Sequence, residues 1–397
     1  MASPYTIATI WIGLAFLSAI LAARVGISVS LIEILVGVLV GNLFHVPTAT
    51  WIDFLAGFGS GLLTFLAGAE IEPQVIGRHW KQTISIGFAS FLFPFGLALL
   101  FARFAAGWDW KAAQIAGIAL STTSVAVVYA VMVETGFNET NLGRVILAAC
   151  FVTDLGTVLA LGFLFAHYDW HLLVFIAALA VVLPLAPRLV RLVIRTTGGR
   201  MSEAELKLVL VMMFGLAAVA EAGGSEPILP AYLVGMVLAG TLLRERPLVL
   251  RLRSMAFAFL TPFYFIRAGT LVSAKAVVGG AGVIGLFLLV KLASKYVGVR
   301  PLTGAFRFPK REAMYTTLLM STGLTFGTIS SLYGLTHGII DRDKYTVLVT
   351  VVILSAFVPT LIAQQFYRPR LEDHREQPNA GRGTGTTPES RATASSD

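Results

Sequence analysis

Apolar residues run along this chain in stretches of about twenty, separated by short polar clusters, from residue 5 to residue 367. A helix rises about 1.5 Å per residue, so each stretch matches a hydrocarbon layer roughly 30 Å thick. Thirteen candidate crossings follow from the pattern: 5–25, 28–44, 54–70, 82–105, 112–134, 142–166, 170–194, 205–222, 227–243, 254–272, 276–299, 311–333 and 344–367. Inside a membrane every backbone N–H and C=O needs an internal partner, which makes a helix the expected form of each. The first stretch lacks a basic leader and runs too long for a cleavable signal, so it is expected to be a crossing itself. Beyond Pro369 the chain turns to Gly, Thr, Ser, Pro, Glu and Arg without an apolar period. Residues 1–369 are therefore expected to form a membrane domain and 370–397 a disordered cytoplasmic tail.

Composition agrees. The 397 residues are 56% hydrophobic and 13% charged, with a mean hydropathy of +0.79, whereas a soluble chain carries about 25% charged residues. The net charge of +8 does not point to nucleic acid, because the basic residues sit at segment ends without interleaved aromatics. They read as topology signals: the loops after odd-numbered segments and the start of the tail hold nineteen Lys and Arg, the opposite loops five. That asymmetry predicts an external N-terminus and a cytoplasmic C-terminus. The single cysteine, Cys150, lies in an apolar segment; it excludes an intrachain disulfide and gives no support to a thiolate metal site.

The chain also resembles itself. Leu31 to Phe44, LIEILVGVLVGNLF, is similar to Leu229 to Leu243, LPAYLVGMVLAGTLL; TFLAGAEIEP at Thr64 has a loose counterpart in YFIRAGTLVS at Tyr264; STTS at Ser121 matches STGLT at Ser321. The offsets of 198, 201 and about 200 residues share one register. Six segments plus a connector (170–194) displace the second block (about 205–367) from the first (about 5–166) by seven crossings. An odd displacement reverses orientation, so inverted repeats are expected.

Polar residues inside apolar segments carry the candidate chemistry. Ser121, Thr122, Thr123 and Ser124 interrupt the fifth segment; Ser321, Thr322, Gly323 and Thr325 interrupt the twelfth. They fit either local hydroxyl-to-backbone bonding and close helix packing or two broken helices crossing at mid-membrane. Asp154 has about ten mostly apolar residues on either side. A central aspartate costs about 2.5–3.5 kcal/mol to insert, so it should face protein or water. It is either a structural buried acid or a site where a proton and a small alkali cation compete. Thr153 precedes it and either lines that site or is simply tolerated in the helix. Lys291 and Lys295, four residues apart, share one helix face; Lys291 is the deeper and the first candidate for a cationic partner, while Lys295 could snorkel. Arg267 could pair with Glu70 or Glu72 or carry charge along a cavity, and Glu33 reads as an entrance or structural acid. Asp53, Asp109, Asp169, Asp341 and Asp343 read as solvated loop charges. His45, His79, His167, His171 and His337 lack metal-ligand spacing. Neither a phosphate loop nor a Ser-His-Asp set is apparent, so the chain does not read as an enzyme and no cofactor is expected.

In order and spacing, LLTFLAGAEIEP, GIALSTTSVAVV, VTDLG, FLTPFYFIRAG, VKLASK and LLMSTGLTFGTI resemble the cation:proton antiporter-2 family of NapA-like and Kef-type transporters, across residues 5–367. The resemblance implies an all-α, NhaA-like antiporter fold: thirteen transmembrane helices, two inverted six-helix repeats and crossed broken helices. It also implies a homodimer in the cell inner membrane, with core helices at about 54–166 and 254–333 in each protomer. Asp154 would bind the transported Na+ or K+ and the proton, with Thr122, Thr123 and Ser124 around the ion. Lys291 would match the core lysine, or Lys295 if the register is displaced. Electrogenic members carry two adjacent aspartates where this chain has Thr153 and Asp154, which favours one-for-one, electroneutral exchange of Na+ or K+ against H+ by alternating access. The chain is also too short for the cytoplasmic nucleotide-binding domain of many Kef-type proteins. A gated cation channel and an organic-anion symporter on a similar fold are the alternatives.

Overall fold

The computed structural model describes residues 3–25, 28–44, 48–69, 79–137, 140–165, 170–197, 203–222, 228–242 and 244–369, and the expected tail at 370–397 lies outside them. The described chain is almost entirely helical. In order it forms α1 (Pro4–Val25), α2 (Val29–Leu43), α3 (Thr50–Ala69) and α4 (Trp80–Leu100), the last running on through a π turn at Phe101–Ala105. There follow α5 (Trp110–Ser121), α6 (Val125–Thr135), α7 (Asn141–Leu164), α8 (Trp170–Thr197), α9 (Ala204–Ala222) and α10 (Ile228–Leu242). Then α11 (Arg246–Met255) joins α12 (Thr261–Thr270) through a second π turn, Ala256–Leu260, and α13 (Ala274–Gly279) leads to α14 (Ala281–Ala305). The remainder is α15 (Lys310–Met320), α16 (Thr325–Thr336) and α17 (Arg342–Phe366).

Among the described residues, nine helical stretches are long and apolar enough to cross a membrane, and α2 and α10 are shorter apolar helices. Large hydrophobic side chains line the outside of the bundle: Phe16, Leu173 and Leu289 are all more than half exposed. In water such a surface would be an aggregation liability; in lipid it is the contact surface. Four expected segments differ from the helices that form. The segment at 254–272 starts earlier, at Arg246, the fifth and twelfth segments each divide into two helices, and the segment at 276–299 divides at Gly280 into α13 and α14. Asp109, Thr140 and Asp341 cap α5, α7 and α17 by accepting backbone N–H bonds from Ala112, Gly143 and Lys344, which satisfies donors a helix start leaves free.

Two helix crossings are set by glycine. Gly37 of α2 meets Gly269 of α12, where a Cβ on either would collide with the other helix's backbone at Ile266 or Ile34. Gly68 of α3 meets Gly235 of α10 in the same way, against the carbonyls of Tyr232 and Phe65. In lipid there is little hydrophobic gain from bringing helices together, so backbone-to-backbone approach supplies van der Waals contact that larger residues would forbid. Substituting Gly68 or Gly235 by Val is expected to destabilise the purified protein by about 1–3 kcal/mol. Gly215→Ala and Gly282→Ala, which face open space, should be neutral or raise stability by up to about 1 kcal/mol. Thermal unfolding in detergent checks both; equal Tm values for the two classes would contradict the crossing argument.

Candidate functional site

The interruptions in the fifth and twelfth segments meet. α5 stops at Ser121, Thr122 takes an extended conformation, and α6 resumes at Val125. α15 stops at Met320, and α16 resumes at Thr325. A helix that ends inside an apolar bundle leaves carbonyls and N–H groups without partners, and the two breaks supply partners to each other. Ser124 N donates to Thr322 O at 3.2 Å, and Thr123 Oγ1 donates to the Met320 carbonyl at 2.9 Å. The remaining hydroxyls are used locally: Ser121 to Ile118 O, Thr122 to Ala119 O, Thr322 to Leu319 O and Ser321 to Thr317 O. All of these polar residues are buried.

A lysine closes the crossing. Lys295 of α14, fully buried, donates to Ser121 O at 2.7 Å, Ser90 Oγ at 2.8 Å and Thr123 Oγ1 at 2.9 Å. Its ammonium therefore sits on the carbonyl end of α5, where the helix dipole concentrates partial negative charge. Lys291, one turn earlier and equally buried, makes no hydrogen bond through Nζ. That Nζ occupies the room left by the missing side chain of Gly323, a space that Thr122 Oγ1 and Ser355 Oγ also border. Both lysines reach the crossing: Lys291, the first choice from sequence, touches the second break at Gly323 without a hydrogen bond, and Lys295 is the one hydrogen-bonded to the first break. Two lysines on one helix face cannot be separated by periodicity, and only the depth of the break relative to α14 distinguishes them.

Asp154 lies mid-way along α7, which packs against both halves of each broken pair, α5, α6, α15 and α16, and also against α4 and α10. The residue is 1% exposed, and its Oδ1 is buried with no hydrogen-bond partner. Lys295 and Tyr232 are near enough to interact with its charge. Thr153 does not turn towards the same space: its hydroxyl donates to Gly87 O at 3.1 Å and Ala149 O at 3.0 Å, fastening α7 to α4. Ser90 and Tyr232 are site residues that the sequence pattern does not pick out, because a lone serine and a lone tyrosine in apolar helices carry no local signal. Tyr232 donates to Phe151 O at 3.0 Å, one turn before Asp154. Among the described residues no group of three or more His, Cys, Asp or Glu could hold a metal ion. What the centre offers instead is one buried carboxylate with an uncommitted oxygen, close to Lys295 and to the Tyr232 hydroxyl, which a proton or a small cation can neutralise.

A cavity of about 790 Å³ opens at the end of the bundle where α3 and α10 begin and α9, α12 and α16 finish. Asp53, Glu221, Arg267, Tyr333 and His337 line it together with apolar side chains. Arg267 Nε donates to Asp53 Oδ1 at 2.8 Å. That pairing corrects the reading of Asp53 as a merely solvated charge; Glu70 and Glu72, the partners considered for Arg267, lie outside the described residues.

Similarity to known proteins agrees with this architecture. A cation/H+ antiporter of Arabidopsis thaliana is 25% identical over 357 residues, 84% of this chain but 44% of that protein. A probable Na+/H+ antiporter of Methanocaldococcus jannaschii is 21% identical, covering 80% of this chain and 84% of its own length. A Na+/H+ antiporter of Synechocystis is 24% identical over 90% of this chain and 95% of that protein. The chain thus spans less than half of the plant relative but most of the archaeal and cyanobacterial ones. In fold it is similar to the sodium/proton antiporter MjNhaP1 of Methanocaldococcus jannaschii, with a TM-score of 0.63 at 13% identity over 91% of this chain and 97% of that one. Residues 12–367 match the transmembrane sodium/hydrogen exchanger family, and this multi-pass membrane protein belongs to it.

Proposed function

We propose that this chain exchanges a monovalent cation, Na+ or K+, for a proton by alternating access, with Asp154 as the shared binding group. The observation that carries the proposal is Asp154 itself: a buried carboxylate with an uncommitted oxygen beside a crossing of broken helices. An ionised carboxylate without a partner is strongly disfavoured away from water. Occupied by a proton or by a cation it is neutral, so either loaded form crosses more easily than the empty one. That difference is sufficient for coupling. Family membership and relatives named as antiporters support the same reading.

In the proposed architecture thirteen crossings form inverted repeats at about 5–166 and 205–367, with a connector at 170–194 and the N-terminus outside. The glycine crossings support it, because the repeat register carries Gly37 to Gly235 and Gly68 to Gly269. One pair thus maps onto the other with its partners exchanged. In this proposal the core expected at about 54–166 and 254–333 becomes α4–α7 and α14–α17, since α3 and α12 are locked at the glycine crossings to α10 and α2; α1–α3 and α9–α12 form a scaffold that pairs with a second copy. The cavity between α3 and α16 then opens to the outside.

Three outcomes test the reading. In proteoliposomes with a pH gradient, Asp154→Asn is expected to abolish coupled exchange while the protein remains folded; coupled flux in that variant would refute the assignment. With one carboxylate and no charge at Thr153, exchange is one-for-one. A 100 mV potential is worth about 2.3 kcal/mol per net charge, close to a fifty-fold ion ratio, so an electroneutral cycle shows no shift in its reversal point and a shift of that size rejects it. The lysines are expected to separate by stability. Lys295→Ala leaves the Ser121 carbonyl unsatisfied and should destabilise by about 1–3 kcal/mol. Lys291→Ala removes a buried group without a hydrogen bond and should be neutral or stabilising. Thermal unfolding of the two variants decides the point, and the opposite ranking would make Lys291 the lysine that holds the crossing together.

A further inference from the structure

An aromatic contact joins α10 and α16 next to residues that line the cavity. Ala231 and Ile228 of α10 line the cavity, as does Ile329 of α16, whereas Asp154 is not among its walls. Directly beside Ala231 stands Tyr232, and one turn before Ile329 stands Phe326. Both are buried, and their rings meet edge-on with centroids 6.2 Å apart and an interplanar angle of 75°. The Tyr232 hydroxyl continues past this contact to the Phe151 carbonyl on α7. Its ring also lies near enough to Asp154 to interact with its charge.

The two aromatics are held by different parts of the bundle. The backbone of Tyr232 cannot shift along α3, because its carbonyl is seated on Gly68 at the glycine crossing. Phe326 belongs to the second half of a broken helix and moves with the crossing. A displacement of α7 and α16 against α3 and α10 must therefore break the ring contact and the Tyr232–Phe151 hydrogen bond together.

We propose that Tyr232 and Phe326 form the outer gate of the ion site, with Tyr232 as the positioning residue that ties the Asp154-bearing turn of α7 to the scaffold when the gate is shut. This inference rests on the antiport reading given above. With the gate shut, the ring pair separates cavity water from Asp154. With it open, a cation in the cavity reaches the carboxylate directly. Weakening the shut state therefore raises the fraction of protein able to bind from outside, which lowers the apparent external KM by the same factor.

Tyr232→Phe removes one hydroxyl and keeps the ring, so it should fold as the parent does. In right-side-out vesicles, loss of one net hydrogen bond is expected to lower external relative to internal cation KM by about 2- to 12-fold. Phe326→Leu should shift the ratio the same way through loss of the ring contact. A second readout does not need transport. Thr157 is three residues from Asp154 on the same face of α7 and is 1% exposed. In a Cys150→Ser, Thr157→Cys background, a membrane-impermeant thiol reagent added outside should label faster when Tyr232→Phe is present. An unchanged KM ratio with unchanged labelling in both gate variants would overturn the gate. Absence of exchange in the parent protein would instead remove the antiport reading, and labelling would still decide the gate.

Discussion

Two helices that stop inside an apolar bundle leave peptide groups with no water to bind, and the rest of the structure is arranged around meeting that requirement. Each free carbonyl or N–H buried without a partner costs about 1–3 kcal/mol, and two breaks in register would expose several at once. The protein answers with bonds from the first break to the second and from α14 to the first: Ser124 N to Thr322 O, Thr123 Oγ1 to Met320 O, and Lys295 to Ser121 O. Serine and threonine are the residues that can do this in a tight crossing, since one short hydroxyl both donates and accepts. Lys295 places its Nζ where the α5 dipole has its negative end, and three hydrogen bonds satisfy its donors there.

That closed network explains what Asp154 lacks. The hydroxyls of the crossing donate to backbone carbonyls, and the lysine that could have paired with Asp154 spends its three donors on Ser121, Ser90 and Thr123. The carboxylate is left close to the charge of Lys295 without a hydrogen bond through Oδ1. A site whose polar neighbours are already satisfied does not need to reorganise when a ligand arrives or leaves, so the free energy of occupancy falls on the carboxylate rather than on the crossing.

Much of this was legible in the residues. The apolar runs located the helices because burial in lipid demands length and hydropathy, and STTS and STGLT located the breaks because polar residues in apolar runs must find partners. Other features were illegible for equally physical reasons. Lys291 and Lys295 share a helix face, so only the three-dimensional depth of Ser121 separates them. Thr153 stands next to Asp154 in sequence, yet successive helix positions point about 100° apart, and its hydroxyl serves Gly87 on another helix. Arg267 finds Asp53, 214 residues away, through a pairing of helix ends that no local pattern encodes.

The same geometry constrains how charge can move in the proposed cycle. Thr153 is neutral and turned away, so Asp154 is the carboxylate that occupancy must neutralise. Lys295 is bound into the crossing by three hydrogen bonds and travels with it as a fixed part of the core. A core carrying Asp154 with either ion therefore has the same net charge in both loaded directions, while the empty core carries one negative charge more. The empty form is the one that a low-dielectric barrier penalises most. Coupling then needs no separate interlock: the Tyr232–Phe326 contact decides which side reaches the carboxylate, and the cost of an unpaired charge decides when the core can cross.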